Sequence, residues 1–409
     1  MPQIEFGVDS RMTMPDDVAM AGDGSSVGSP LEDPREATRA ALREPLDYPS
    51  LQQVVVADDH VVLALEEGFV QPAAVVAGVV LELVAAGLDP EQITVLRTKA
   101  DAELSRALPT RDLPPELRDQ VRVIVHDPAD RQHLALLNIS ASDEGIYLSR
   151  EMVEADVVIP LSVAKARRAS GYWGIYGALF PTYADEATQQ RFCSPKTSMK
   201  PSQRKLRRAE VREAGWLLGS SLVVQVVPGP GETLLHVVAG EVHSVEKRAR
   251  ELFEAVWHFD VAQRARLVVA TMPGDRQQQT WANVARLLRA ASRVVEDNGT
   301  IAICCDVRSK PGPSLRKLAR SPSLEEARRA IQQDSSPDAL TAAQFVRTLQ
   351  HAQVFMLSGL EEDVVQSLGL GYVASPDEVV RLASRHKQDC LLLQNAHQAA
   401  PRLATEADE

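Results

Sequence analysis

Two doubly wound α/β units around a cleft are the fold predicted by this sequence, on three observations. Strand-length apolar runs alternate with helical stretches over residues 33–258 and again over 259–400, a βαβ rhythm that builds parallel sheets. The runs are continuously apolar, as in VVLAL at 61–65 and LLLQ near 391–394, which suits strands covered on both faces. Several runs exit into Gly, Pro or acidic residues that open a helix, and such strand exits are where α/β proteins bind ligands.

The elements follow in order. QIEFG and RMTM within 3–14 read as an opening strand pair, and the Gly/Ser/Asp-rich 15–31 as a mobile connector, so that residues 1–32 precede the first unit. Asp33-Pro34 supplies an N-cap and first-turn proline for a helix. Strand 60–65 feeds helix 71–86, which Gly87 stops. Strands at 93–96, 121–126 and 155–161 continue the sheet. The turn PGPGET joins strands 221–227 and 234–241 into a hairpin, and helix 244–257 closes the unit. The second unit has strands at 265–275, 300–306, 353–358 and 390–394, with helices at 277–294, 323–333, 341–351, 361–367 and 376–386. Residues 401–409 read as a frayed polar tail.

Bulk properties narrow the function. A net charge of −12 over 409 residues argues against nucleic acid or an anionic membrane surface as partner, since both call for a basic face. The six basic residues within 196–208 form the exception, read either as an exposed helix face or as a dock for an acidic partner. Cys193, Cys304, Cys305 and Cys390 have no CxxC spacing, and the nine histidines form no HxxxH or HExxH pattern, so no metal ligands are expected. The start of the chain lacks the charged and apolar regions of a leader, and no apolar run reaches about 18 residues. The expectation is a cytoplasmic protein whose partners are a small organic anion and, in a homo-oligomer, further copies of itself.

Candidate chemistry gathers at strand exits. Glu66-Glu67-Gly68 places carboxylates after strand 60–65, either facing a ligand or as a solvated turn. Residues 158–182 bring Lys165, Arg167, Arg168, Tyr172, Trp173 and Tyr176 together with Gly171, Gly174 and Gly177. Guanidinium groups bind carboxylates, aromatic rings form walls, and glycines allow close approach. Arg276, Gln278 and Gln279 follow the Pro-Gly turn at 273–274 and could face a crevice. His126 ends strand 121–126 and is the histidine best placed for acid/base work, or else a turn feature. On the residues alone, Glu67, His126, Tyr172 and Tyr176 are the catalytic candidates. Arg167, Arg168, Trp173 and Arg276 are the substrate-binding ones.

The run 33–89, with its acid-Pro helix start, the strand HVVLAL and an acidic turn before the next helix, resembles the N-terminal domain of the nickel-pincer lactate racemase family. The resemblance extends more weakly to about residue 400. It implies a lactate-racemase-like fold, an isomerase (racemase or epimerase) of 2-hydroxy or sugar acids, and a nickel-pincer nucleotide. It also implies an acidic residue at Glu67, an arginine where Val70 stands, and a histidine near Ala102. It places a second histidine near Arg167, a cofactor-attaching lysine at Gly177 before Ala178-Leu179-Phe180-Pro181, and a metal-binding histidine near Cys193. The glutamine and lysine of the family's second domain fall at Asn283 and Arg286. Gly177 has no amine to attach a cofactor, so the resemblance leaves a second reading, a non-catalytic binding homologue.

Overall fold

The computed structural model describes residues 2–22, 28–105, 107–139, 145–166, 169, 171–198 and 200–404. The chain begins with the expected antiparallel pair, β1 (Gln3–Phe6) and β2 (Ser10–Thr13), followed by β3 (Ala19–Gly22). Then come β4 (Val61–Leu65), β5 (Ile93–Thr98) and β6 (Arg122–His126), a separate hairpin of β7 (Leu134–Ile139) and β8 (Gly145–Ser149), and β9 (Val157–Val163), β10 (Leu222–Pro228) and β11 (Leu234–Glu241). The second half contributes β12 (His258–Val261), β13 (Ala265–Thr271), β14 (Val295–Cys304), β15 (Ala352–Leu357), β16 (Gly371–Tyr372), β17 (Cys390–Leu393) and β18 (Ala400–Leu403).

Two six-stranded sheets result. The first runs β11-β10-β9-β4-β5-β6, parallel except for the antiparallel hairpin β10–β11 at its edge. The second runs β16-β15-β14-β13-β17-β3 and is parallel throughout. All five residues of β4 are buried, as continuous hydrophobicity requires of a central parallel strand.

Three expectations need correcting. Residues 19–22, expected within a connector, form β3 at the edge of the second sheet beside β17. Ile4, Phe6, Met12, Met14 and Val18 pack under that sheet with Leu267, Val269 and Leu392, so apolar burial fixes a segment whose composition looked like linker. Residues 401–403, expected to fray, pair with β12 as part of β18, and Leu403 is buried. The hairpin β7–β8 and helix Pro313–Arg320 were not anticipated. Leu136, Ile139 and Tyr147 of the hairpin are exposed, which removes the buried-strand pattern by which the other strands are read.

Helix Pro34–Arg43 begins as expected, with Asp33 Oδ1 accepting from the amides of Arg35 and Glu36 at 3.0 and 3.1 Å. It crosses helix Pro72–Ala85 at Gly78, where an added Cβ would lie 2.6 Å from both the Arg35 carbonyl oxygen and Thr38 Cβ. Gly78→Ala is therefore expected to destabilise the protein by about 1–3 kcal/mol through overpacking, read as a lower urea midpoint. Helix propensity alone would favour the alanine by about 1 kcal/mol, so an unchanged or raised midpoint would show that the crossing yields.

Candidate functional site

The sheet topology singles out two places. From β4 the chain builds outward to β5 and β6, and from β9 it builds the other way to β10, so strand order reverses between β4 and β9. In the second sheet it reverses between β13 and β17. At such switch points the connections leave on opposite faces and open a crevice at the carboxyl ends of the strands. The segments at these four strand ends carry Glu66 and Glu67 after β4, Lys165 after β9, the helix bearing Asn283 and Arg286 after β13, and His397 after β17.

Glu66 joins the first two of these exits. Its Oε2 accepts from the Val163 amide at 2.7 Å and its Oε1 from Lys165 Nζ at 2.5 Å. Both side chains are only 10% exposed, making this a buried ion pair. Burial lowers the Lys165 pKa, Glu66 pulls it back up, and Arg286 pushes it down again, for a net lowering. The adjacent turn is pinned by Asp101, which accepts from the Gly68 amide and the Thr98 hydroxyl, each at 3.0 Å. Gly68 adopts φ 72°, a left-handed conformation that glycine takes without strain. Glu67 keeps surface open at the rim, but protein on its other sides withdraws water and raises its carboxyl pKa; Asp101 raises it further, while Lys165 and Arg286 oppose.

The second sheet answers with cations and an imidazole. Thr280 caps helix Trp281–Val294 by accepting from the Asn283 amide at 3.2 Å. One turn along, Arg286 Nη1 donates to Asn283 Oδ1 at 2.6 Å, and Asn283 Nδ2 donates to the Gln278 carbonyl at 2.8 Å. The Arg286 Nε is buried without a hydrogen-bond partner among the described residues. Arg286 lies within electrostatic reach of Glu66, Glu67, Lys165 and His397, which brings both switch points to one site. His397 is 6% exposed and neither ring nitrogen has a partner among the described residues. Burial, with Arg286 adding to it, pushes its pKa down to about 3, so the ring is neutral at ordinary pH and can donate through one nitrogen and accept through the other. A narrow recess beside the cluster is lined by Leu65, Phe69, Asp101 and, from the second half of the chain, Gln277.

The structure thus brings Glu67, Asn283 and Arg286 of the expected residues together and adds Glu66, Lys165, Asp101 and His397. Tyr172 is buried within reach of Glu66 and accepts from Gln225 Nε2 at 3.4 Å; burial holds its phenol protonated, well above the usual tyrosine range. Three other candidates are engaged elsewhere. His126 donates from Nε2 to the Ala184 carbonyl at 3.0 Å and packs edge-on against Tyr183; burial lowers its pKa, as suits a structural imidazole. Tyr176 donates to the Ser220 carbonyl at 2.6 Å, and burial pushes its pKa up to about 12. Trp173 packs in the core against Phe192. Arg276 is exposed, and Arg167 and Arg168 lie outside the described residues. The basic run is divided: Arg204 donates to the Ala169 carbonyl at 3.1 Å and sits over the Trp173 ring, Arg207 pairs with Glu210 at 2.8 Å, and Lys196, Lys200 and Lys205 are exposed.

Lys165 was legible within the basic set beyond strand 155–161, and Asp101 could have been found from the Thr-x-x-Asp spacing at a helix start. His397 had no local signal.

Comparison with known proteins now gives this geometry a setting. A model of the lactate racemase N-terminal domain matches residues 9–198. The structure is similar to the lactate racemase apoprotein from Thermoanaerobacterium thermosaccharolyticum at a TM-score of 0.79 and 15% identity, over 98% of this chain and 100% of that one. It is also similar to a structural-genomics protein from Thermotoga maritima at a TM-score of 0.65 and 14% identity, over 92% of this chain and 100% of the other. No curated protein matches the sequence. At such identities the structural likeness is one of fold.

Proposed function

Residues 9–198 match a model of the lactate racemase N-terminal domain, and from that premise we propose that the cleft holds a small organic anion, a 2-hydroxy acid or sugar acid, for binding or racemase-like isomerisation. The observation that carries this reading is the unpartnered Arg286 Nε beside the unpartnered ring of His397, both buried. Buried polar atoms without partners cost about 1–3 kcal/mol each, and a carboxylate accepting from both removes that cost. The neighbouring Lys165 ammonium favours the same anion, and Glu66 keeps the unliganded cleft from being a bare cluster of cations.

The residues present do not suit the pincer cofactor that the family resemblance implies. Gly177 offers no amine, and a Cβ there would already lie 3.3 Å from Trp173 Cβ. Among the described residues no three His, Cys, Asp or Glu side chains gather as metal ligands. No step is therefore derived through that group. What the chain itself supplies for isomerisation is a carboxyl with a raised pKa, Glu67, and an amine with a lowered one, Lys165, which moves both toward the range of acid/base work. A second reading, a homologue that binds without turnover, draws support from Gly177 and Ala102 at the positions where the family bears its lysine and a histidine.

Thermal-shift titration with hydroxy acids, sugar acids and phosphate tests the binding. A carboxylate is expected to stabilise the wild type, and Arg286→Ala to bind it about tenfold to a hundredfold more weakly, the loss of one charge-assisted contact. No stabilisation by any anion, or equal stabilisation of both proteins, overturns the assignment. Chiral chromatography of the stabilising acid then separates turnover from binding alone.

A further inference from the structure

We infer that Lys165 is a nucleophile for carbonyl-bearing acids, forming an imine with the ketone carbon of a 2-oxo acid whose carboxylate rests on Arg286 and His397. This deepens the carboxylate-binding reading and rests on it. An imine-forming lysine needs an amine that can shed its proton, a carrier for that proton, and a hold on the substrate that aims the carbonyl at nitrogen.

All three meet at Lys165. Its side chain is nine-tenths buried, and Glu66 Oε1 stands 2.5 Å from Nζ. Glu66 is held by its other oxygen on the Val163 amide, so Oε1 is a fixed proton carrier and not a swinging surface carboxylate. Burial, with the nearby Arg286 charge, disfavours the ammonium form and outweighs Glu66 and Glu67, which favour it, and a lowered lysine pKa is the condition under which lysines become nucleophiles at moderate pH. Arg286 and His397 are the buried groups whose unpartnered atoms seek an acceptor. In a 2-oxo acid the carboxylate is bonded directly to the carbonyl carbon, so an anchor for one places the other nearby.

The step balances without a further reagent. Lys165 passes a proton to Glu66 and its nitrogen lone pair attacks the carbonyl carbon, forming a C–N bond. Glu66 returns the proton to the former carbonyl oxygen. The second proton of the amine follows, the C–O bond breaks, and one water leaves as the C=N bond forms.

Trapping with borohydride tests the inference on the full-length protein. Pyruvate plus borohydride is expected to add one acid, less one oxygen atom, to the intact mass, and peptide mapping is expected to place the adduct on Lys165. Lys165→Arg keeps the charge opposite Glu66 and is expected to lose the adduct while an unreactive hydroxy acid still stabilises it thermally. Acetone, which lacks the carboxylate, is expected to give only the background labelling of surface lysines. An adduct spread over surface lysines, or one equal in Lys165→Arg, overturns the inference. Thermal stabilisation by carboxylates with no trapping also overturns it and leaves the binding reading standing. Absence of stabilisation by any anion removes that reading, and the inference with it.

Discussion

Lys165→Met is expected to lower the unfolding free energy by about 3–5 kcal/mol, the penalty for leaving one member of a buried ion pair without its partner. The pair joins β4 to β9 across the switch point of the first sheet, and both side chains are 10% exposed. Methionine fills much of the volume of the lysine stem, so the loss isolates the charge. Glu66→Gln combined with Lys165→Met is expected to recover most of the stability, because no unpaired charge then remains. Denaturant melts of the wild type, the single variant and the double variant check this. A single variant within about 1 kcal/mol of the wild type, the range of an exposed pair, would mean that water reaches the pair and that the amine is not the buried group described above.

His397→Leu is expected to change how stability depends on pH. The unfolded chain takes a proton on this imidazole as pH falls below about 6.5. The folded protein does not, because burial and Arg286 hold its pKa near 3. Proton uptake therefore favours the unfolded state, and the wild type loses stability relative to the leucine variant as pH falls from 6.5 toward 3. At about 1.4 kcal/mol per unit the difference reaches roughly 4–5 kcal/mol. Glu67 and Asp101, whose carboxyls are raised, act in the opposite sense in both proteins, so they cancel in the comparison. A saturating carboxylate on His397 is expected to shrink the difference by favouring the imidazolium. Parallel pH profiles for the two proteins would place His397 in contact with water and remove it from the site.

Much of the fold was legible because the signals that carry it are local. Continuous apolar runs marked β4, β5, β9, β13, β14, β15 and β17, and Asp33-Pro34 marked the start of a helix. The hairpin β10–β11 was marked by its turn. The site was half legible. Glu66-Glu67-Gly68 and Lys165 stood out beyond strand ends, while Asn283 and Arg286 were marked only by the family resemblance. Tyr176 and His126 misled because a polar side chain at a turn reads alike whether its partner is a ligand or a carbonyl such as Ser220 or Ala184.

What the sequence determined by itself was most strands of the two sheets and the strand exits at which chemistry could sit. What only the tertiary structure decided was which exits meet. Strand order places β4 beside β9 and β13 beside β17, and nothing local in 61–65 or 390–393 specifies that adjacency. The ion pair of Glu66 with Lys165, 99 positions apart, and the approach of His397 to Arg286 exist because the two reversals of strand order face one crevice. The burial that lowers the pKa of Lys165 and of His397 belongs to that crevice, since a side chain's distance from water is set by everything packed around it and not by its neighbours in the chain.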